Sequence, residues 1–114
     1  MVKIVVANLE AGMPSTNEAC LRLDYALRQA QQQGADILKV IHGYGSTGVG
    51  GALRDAIQAA LQRKQVEGQI EAFIVGENWR LSDETAWAIL KKFRELKDDR
   101  DLGRGNKGIS IVVL

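Results

Sequence analysis

The segment ILKVIHGYGSTGVGGALR, residues 37–54, decides the fold, because it passes from an apolar run through a glycine-rich loop into an amphipathic helix. Residues 37–41 are apolar except for Lys39, which is typical of a strand covered on both faces. Five of the nine residues 43–51 are glycine, so the backbone can turn with positive φ and a ligand can approach it closely. A strand, a loop and a helix in direct succession predict an α/β fold.

Strands and helices alternate on both sides of this segment. Apolar, strand-forming runs lie at residues 2–7, 36–41, 70–75 and 109–114. Three amphipathic helices are predicted between the strands. The first begins after the capping pattern of Ser15 and Glu18, the second runs from the glycine loop to Gln65, and the third begins at Ser82. The order β-α-β-α-β-α-β predicts a two-layer α/β sandwich with a four-stranded sheet, mostly parallel or mixed. Connections of one helix each favour parallel neighbours and right-handed crossovers.

Composition limits the classes of function that remain. The 114 residues are 46% apolar and 25% charged, which predicts one globular domain over residues 1–114. The net charge of +1 means that any nucleic-acid contact must come from a local patch of charge. A single cysteine, Cys20, and a single histidine, His42, exclude an intrachain disulfide framework and metal cages built from either residue type. The apolar runs are too short for a membrane span or a signal peptide, so a cytoplasmic protein without a membrane partner is predicted.

The side chains around the glycine loop are of the types that bind phosphate. Free amides and the dipole at the start of a helix favour an anion, and Arg54 can offer two N–H groups to it. Tyr44 offers a flat face for a base or a sugar, and His42 is the side chain here that titrates near neutral pH. The predicted phosphate-binding residues are His42, Gly43, Tyr44, Gly45, Ser46, Gly51 and Arg54.

Other interpretations of the same loop remain open. Residues 43–48 match the dinucleotide pattern G-x-G-x-x-G, and Glu67 and Glu71 follow at about the right distance for a ribose contact. The loop, however, runs on past the last glycine of that pattern, and the chain is short for a full cofactor domain. The loop can also be a flexible connection without a ligand, in which a backbone group satisfies His42. A third interpretation is a protein-interaction module that uses Trp79 and the helix behind it.

The motif Val40-Ile-His-Gly-Tyr-Gly45 followed by Gly51-Ala-Leu-Arg54 resembles the small MutS-related (Smr) domain family. The pattern of that family is His-Gly-x-Gly, a variable glycine stretch and then Leu-Arg. The resemblance covers roughly residues 1–76 and 107–114. It implies a two-layer α/β sandwich that binds DNA or RNA, often with endonuclease or nicking activity.

The chain departs from the family at the end of the first strand. Smr domains usually carry Leu-Asp-Leu-His-Gly there, and the Asp and His are implicated in cleavage. Here Asn8 stands in place of the Asp and Glu10 in place of the His, which favours loss of the usual chemistry and lets both serve as turn residues. A retained cleavage activity would depend on His42 and Glu10 as catalytic residues, with Mg²⁺ or Mn²⁺ as the divalent ion. No protein metal site is predicted otherwise.

A second departure is the stretch 77–106, where a helix (residues 82–97) and a loop are inserted before the last strand. Trp79 and Trp87 are predicted to pack in the core, and base stacking or a partner-binding patch is the alternative. The cations of the helix are predicted to form a solvated face, because acidic residues follow closely and dilute their charge. Those cations are Lys91, Lys92, Arg94 and Lys97, and the acids are Glu95, Asp98, Asp99 and Asp101. The polar stretch 97–107 is expected to be mobile, and its Arg104 and Lys107 are candidate phosphate contacts.

Overall fold

A computed structural model describes residues 1–44 and 49–114. Its strands are β1 (Ile4–Asn8), β2 (Ile37–Ile41), β3 (Ala72–Val75) and β4 (Ile109–Val113). Its α-helices are α1 (Thr16–Gln32), α2 (Val49–Val66) and α3 (Glu84–Lys92), and short 3-10 helices lie at Gly76–Asn78 and Arg94–Asp98. The α/β class and the order β-α-β-α-β-α-β are therefore confirmed.

The four strands form one mixed sheet in the order β1-β2-β4-β3. β1 and β2 are parallel, whereas β4 lies between β2 and β3 and is antiparallel to both. The predicted mixed sheet is therefore confirmed, and the parallel pairing that connections of one helix favour is present between β1 and β2 but not at β4. All five residues of β4 are buried, which suits a strand with a neighbour on each edge. The chain enters β4 beside the last residue of β2, so the two strands run in opposite directions.

Helices cover both faces of the sheet. On one face, α1 and α2 pack their buried stripes against alternate strand residues such as Leu38, Val40 and Val112. On the other face, α3 and the segment after it cover Ile37, Ile111 and their neighbours. The sandwich of the sheet with α1 and α2 therefore carries a partial third layer, formed by the inserted stretch. In the ranges 1–44 and 49–114, no helix combines the length and apolarity that crossing a membrane requires.

The inserted stretch is anchored by a buried polar cluster. Trp79 is fully buried, as predicted, and its indole Nε1 donates a hydrogen bond to Asp99 at 3.0 Å. Lys39, on the same sheet face, pairs with Asp99 at 2.8 Å and with Asp101. The stretch 97–107, expected to be mobile, is thus tied to β2. Trp87 is 52% exposed, so its predicted burial is wrong.

Candidate functional site

The carboxyl ends of β1 and β2 bring Glu10 and Gly43 into direct contact. Because the two strands are parallel neighbours, the residues that follow them meet at one edge of the sheet. Gly43 has a φ of +66°, and a Cβ at this position would collide with the Glu10 carboxylate. The backbone conformation therefore favours glycine here, whereas the exposed Glu10 carboxylate is the end of a flexible side chain that can move aside. The ends of β1 and β2 therefore lie side by side.

The turn after β1 holds Glu10 in place. The side-chain oxygen of Asn8 accepts hydrogen bonds from the amides of Glu10 and Ala11, both at 3.0 Å. From α1, the Arg22 guanidinium donates to the Ala11 carbonyl at 2.6 Å. Asn8 thus forms a local turn of the kind that asparagine favours, and its oxygen is occupied by the backbone.

His42 is enclosed by the protein, with no exposed surface. Its Nδ1 lies 2.7 Å from the Gly43 carbonyl, and its Nε2 lies 3.0 Å from the Ser110 hydroxyl of β4. Since a carbonyl can only accept, we assign the proton of the neutral ring to Nδ1, which leaves Nε2 to accept from Ser110. The amides of His42 and Gly43 both donate to the Gly108 carbonyl, at 2.9 and 3.0 Å. His42 therefore joins the start of the glycine loop to β4.

Burial lowers the pKa of His42 below its usual range, because a charged imidazolium would lose its hydration. The positive charge of Arg54 lowers it further, while the Gly43 carbonyl and the carboxylates of Glu10 and Glu77 oppose the shift. The ring is therefore neutral at pH 7, and both of its nitrogens are bound to the protein. This geometry suits a residue that positions the loop.

The rim of the site pairs an exposed aromatic ring with a cation. Tyr44 is 52% exposed, and Lys107 Nζ lies 5.9 Å from the centroid of its ring. This distance is within the range of a cation–π interaction. Lys107 immediately precedes Gly108, whose carbonyl accepts hydrogen bonds from the His42 and Gly43 amides. The last loop of the chain thus contributes Lys107 to the rim of the site.

Arg54 lies in α2 and is paired with a carboxylate. Its Nη2 contacts Glu77, which follows β3, and its Nη1 lies 3.5 Å from Asp55. The Arg54 and Glu77 side chains are 24% and 28% exposed. Within the described residues, the Arg54 Nε and the second Glu77 oxygen are buried without a hydrogen-bond partner. The predicted phosphate ligand is therefore occupied by an acid that the sequence interpretation missed.

The remaining predicted loop residues have different outcomes. Gly45 and Ser46 lie outside the described residues. Gly51 lies in α2, where an added Cβ would be 3.7 Å from the Tyr44 carbonyl, an ordinary contact. Among the described residues, no three His, Cys, Asp or Glu side chains gather as a metal site, so these residues do not assemble a donor set for Mg²⁺ or Mn²⁺.

The structure does not place Glu67 or Glu71, the acids that the dinucleotide interpretation assigns to the ribose, beside Gly43 or the start of α2. Glu71 precedes β3, at the opposite end of the sheet from Gly43, and its carboxylate accepts from Lys92 at 3.2 Å. Glu67 follows the last turn of α2, about 27 Å along the axis from the start of that 18-residue helix. Glu71 is therefore far from Gly43, and Glu67 is far from the start of α2.

Comparison with known proteins agrees with this architecture. The family model described as Smr domain matches residues 11–79. The crystal structure of the Smr domain of Thermus thermophilus MutS2 superposes with a TM-score of 0.56 at 27% sequence identity, covering 99% of this chain and 98% of that one. No curated protein gives a match to the chain.

Proposed function

The chain belongs to the Smr domain family, and from this membership and the geometry of the glycine-loop site we propose that it binds nucleic acid through the phosphate backbone. The observation that carries the proposal is the exposed pair of Tyr44 and Lys107 beside the Gly43 backbone. A cation next to a flat aromatic face suits a phosphate attached to a base or a sugar.

The start of α2 adds to this site. The first turn of the helix contains no acidic residue, so its dipole is not offset there by an adjacent carboxylate. Arg54 follows on the same helix and supplies a guanidinium that can form two parallel bonds to a phosphate. The buried, neutral ring of His42 positions Gly43 through its hydrogen bond to the Gly43 carbonyl. In this proposal, Lys107 and Arg54 contact phosphates and Tyr44 contacts a base or a sugar.

The proposal is binding without the cleavage chemistry usual for the family. A general acid or base needs a group within hydrogen-bond reach of the substrate, and both His42 nitrogens are already bound to the protein. Asn8 lacks an ionisable group, and its oxygen is used by the turn. Glu10 is the group at this edge that can still take part in proton transfer.

Binding is tested by fluorescence anisotropy with labelled single-stranded, duplex and branched DNA and RNA over a range of salt concentrations. We expect salt-sensitive binding that Arg54→Ala and Lys107→Gln each weaken for all sequences alike. Each variant should flatten the salt slope by about 0.7 to 0.9, the value of one lost phosphate contact. Arg63→Ala is the matched control, because Arg63 is exposed in the last turn of the same helix. Unchanged affinity in both site variants would reject the proposal.

Cleavage is tested on the same samples with Mg²⁺ or Mn²⁺ on denaturing gels. We expect intact strands. New fragments that disappear in Glu10→Gln would show that this carboxylate retains a catalytic role and would overturn the proposal of binding alone. Thermal shifts with NAD or ATP, without any binding to polynucleotides, would point instead to a nucleotide ligand.

A further inference from the structure

The exposed side of α3 and the turn behind it form a second surface of cations around an indole. The inward residues of α3 are Ala86, Ile89 and Leu90, which are buried against the sheet. The outward residues Trp87 and Lys91 lie four positions apart, on one face of the helix. Together with Leu90, Arg94 and Lys97 they line a groove of about 260 Å³, which we call the α3 groove.

Three of the four acids that follow the cations of the α3 groove in sequence are held by other groups, and the fourth, Asp98, is exposed and forms no ion pair within 4.0 Å among the described residues. Asp99 and Asp101 turn inward to Lys39, and Glu95 accepts the Val2 amide at 3.0 Å. Lys92, the remaining cation of the cluster, pairs with Glu71 on another side of the helix. Across the described part of the chain, the groove cations Lys91, Arg94 and Lys97 form no ion pair within 4.0 Å.

We propose that the α3 groove binds a single-stranded segment of nucleic acid, with a base stacked on Trp87 and phosphates held by Lys91, Arg94 and Lys97. An exposed indole beside a row of cations is the combination with which proteins hold single strands without sequence preference. Leu90, which also lines the groove, is 1% exposed, so the half-exposed Trp87 provides the apolar surface on which a base can stack.

This site is separate from the glycine loop and goes beyond the function proposed for it. α3 covers the sheet face opposite α1 and α2, and its groove residues share none of the loop contacts. A duplex hides its base faces, so the α3 groove selects unpaired segments. An acidic peptide is the competing ligand for three cations, but it would leave the indole face without a stacking partner.

The intrinsic fluorescence of the protein reports directly on this stacking. The chain has two tryptophans, and Trp79 is fully buried whereas Trp87 is half-exposed. Titration with a single-stranded oligothymidine or oligouridine should therefore quench Trp87, and a duplex of equal length should not. Trp87→Ala should remove the quenching and weaken single-strand binding roughly tenfold, the effect of one lost stacked base. Trp87→Phe should keep part of the affinity, because its ring still stacks.

The charge contacts are tested by removing single cations of the groove and, as a control, the neighbouring Lys92 of α3. Lys91→Gln and Arg94→Gln should each flatten the single-strand salt slope by about 0.7. Lys92→Gln removes the same charge from the side of the helix that faces Glu71 and should leave the slope unchanged. These residues are exposed, so the variants should fold, and circular dichroism checks that they do.

The outcomes separate this proposal from the glycine-loop proposal. Arg54→Ala should weaken overall binding while leaving the Trp87 quenching in place. Nucleic-acid binding without quenching, equal effects of Lys91→Gln and Lys92→Gln, or binding of a polyglutamate peptide as tight as that of the oligonucleotide would each overturn the α3 groove proposal. Quenching that survives when the loop variants have no effect would support the groove and reject the loop.

Discussion

Arg54 and Glu77 are held together across the edge of the sheet, from α2 to the residue that follows Gly76. Gly76 has no space for a side chain, because a Cβ there would collide with the Asn106 carbonyl. The turn at Gly76–Asn78 is therefore pressed against the last loop, and this packing fixes the Glu77 carboxylate in front of the guanidinium. Glu77 contacts the guanidinium that our proposal assigns to a phosphate, so in that proposal it competes with the ligand for Arg54.

Glu77→Gln should therefore increase the affinity for nucleic acid. The amide cannot hold Arg54 as a carboxylate does, which frees the guanidinium and removes one negative charge from the site. We expect binding about three- to tenfold tighter at low salt, because the contact of Arg54 with its phosphate no longer competes with the Glu77 carboxylate, and a salt slope close to that of the unmodified protein, because the number of phosphate contacts stays the same. Anisotropy titrations at several salt concentrations measure both quantities.

Asp55→Asn is the matched control for this substitution. It removes the same charge at a carboxylate that also lies beside Arg54, but at 3.5 Å and with 76% of its side chain exposed. Screening by water should make its effect much smaller. If Asp55→Asn and Glu77→Gln raise the affinity equally, net charge and not the release of Arg54 explains the gain.

Ser110→Ala should destabilise the domain by about 1 to 3 kcal/mol, because it leaves the buried Nε2 of His42 without a hydrogen bond. Urea unfolding measures the loss. Ser82→Ala, at an exposed position, should change stability by no more than about 0.5 kcal/mol. A Ser110→Ala protein as stable as Ser82→Ala would mean that the ring finds another partner.

The secondary structure was predictable because its signals are local. Apolar runs and the capping box of Ser15 and Glu18 mark the elements, and the capping box is present as predicted. The place of β4 was not predictable from those signals, since hydrophobic periodicity carries no information about which strands pair or in which direction. The run Ile109–Val113, with Ser110 as its only polar residue, indicates a buried strand but leaves both neighbours open.

The position of the candidate site was predictable from its glycines and from the types of side chain beside them, but the contacts among those side chains were not. Gly43 has a positive φ, which glycine adopts readily, and the cluster of glycines in residues 43–51 indicates a loop that a ligand can approach. The roles of Glu77 and Ser110 were missed because these residues are distant in sequence from their partners and meet them only in the folded chain. Glu77 is 23 residues from Arg54, and Ser110 is 68 residues from His42. Ser110 did leave a signal, a lone hydroxyl in an otherwise apolar strand.

Stability should fall as the pH drops below about 6.5, the ordinary pKa of histidine. Burial lowers the pKa of His42 in the folded state, so between that value and about 6.5 the unfolded chain binds more protons. The free energy of unfolding therefore rises with pH through this window and levels off above it. His42 is the only histidine, so its NMR titration is unambiguous and should have its midpoint below 6.5. A midpoint at or above 6.5 would contradict the buried neutral ring.

Lys39→Met should destabilise the domain by about 3 kcal/mol, because it leaves Asp99 and Asp101 as two unpaired, largely buried carboxylates. Burial alone would lower the pKa of Lys39 and raise that of Asp101, but their mutual hydrogen bonds, together with those of Asp99 and Asn106, reverse both shifts. For Asp101 this stabilisation is present above about pH 4 and is lost as the pH falls through its lowered pKa.

The control for this variant is Lys92→Met, which breaks the Glu71 pair, where both side chains are 56% exposed. Exposed pairs contribute about 0 to 1 kcal/mol, so urea unfolding at pH 7 should separate the two lysine variants clearly. At pH 3 the gap should narrow, because the Asp101 carboxylate, whose pKa Lys39 no longer lowers in this variant, takes up a proton. A gap that is absent at pH 7, or unchanged at pH 3, would show that the buried cluster does not hold the inserted stretch to β2.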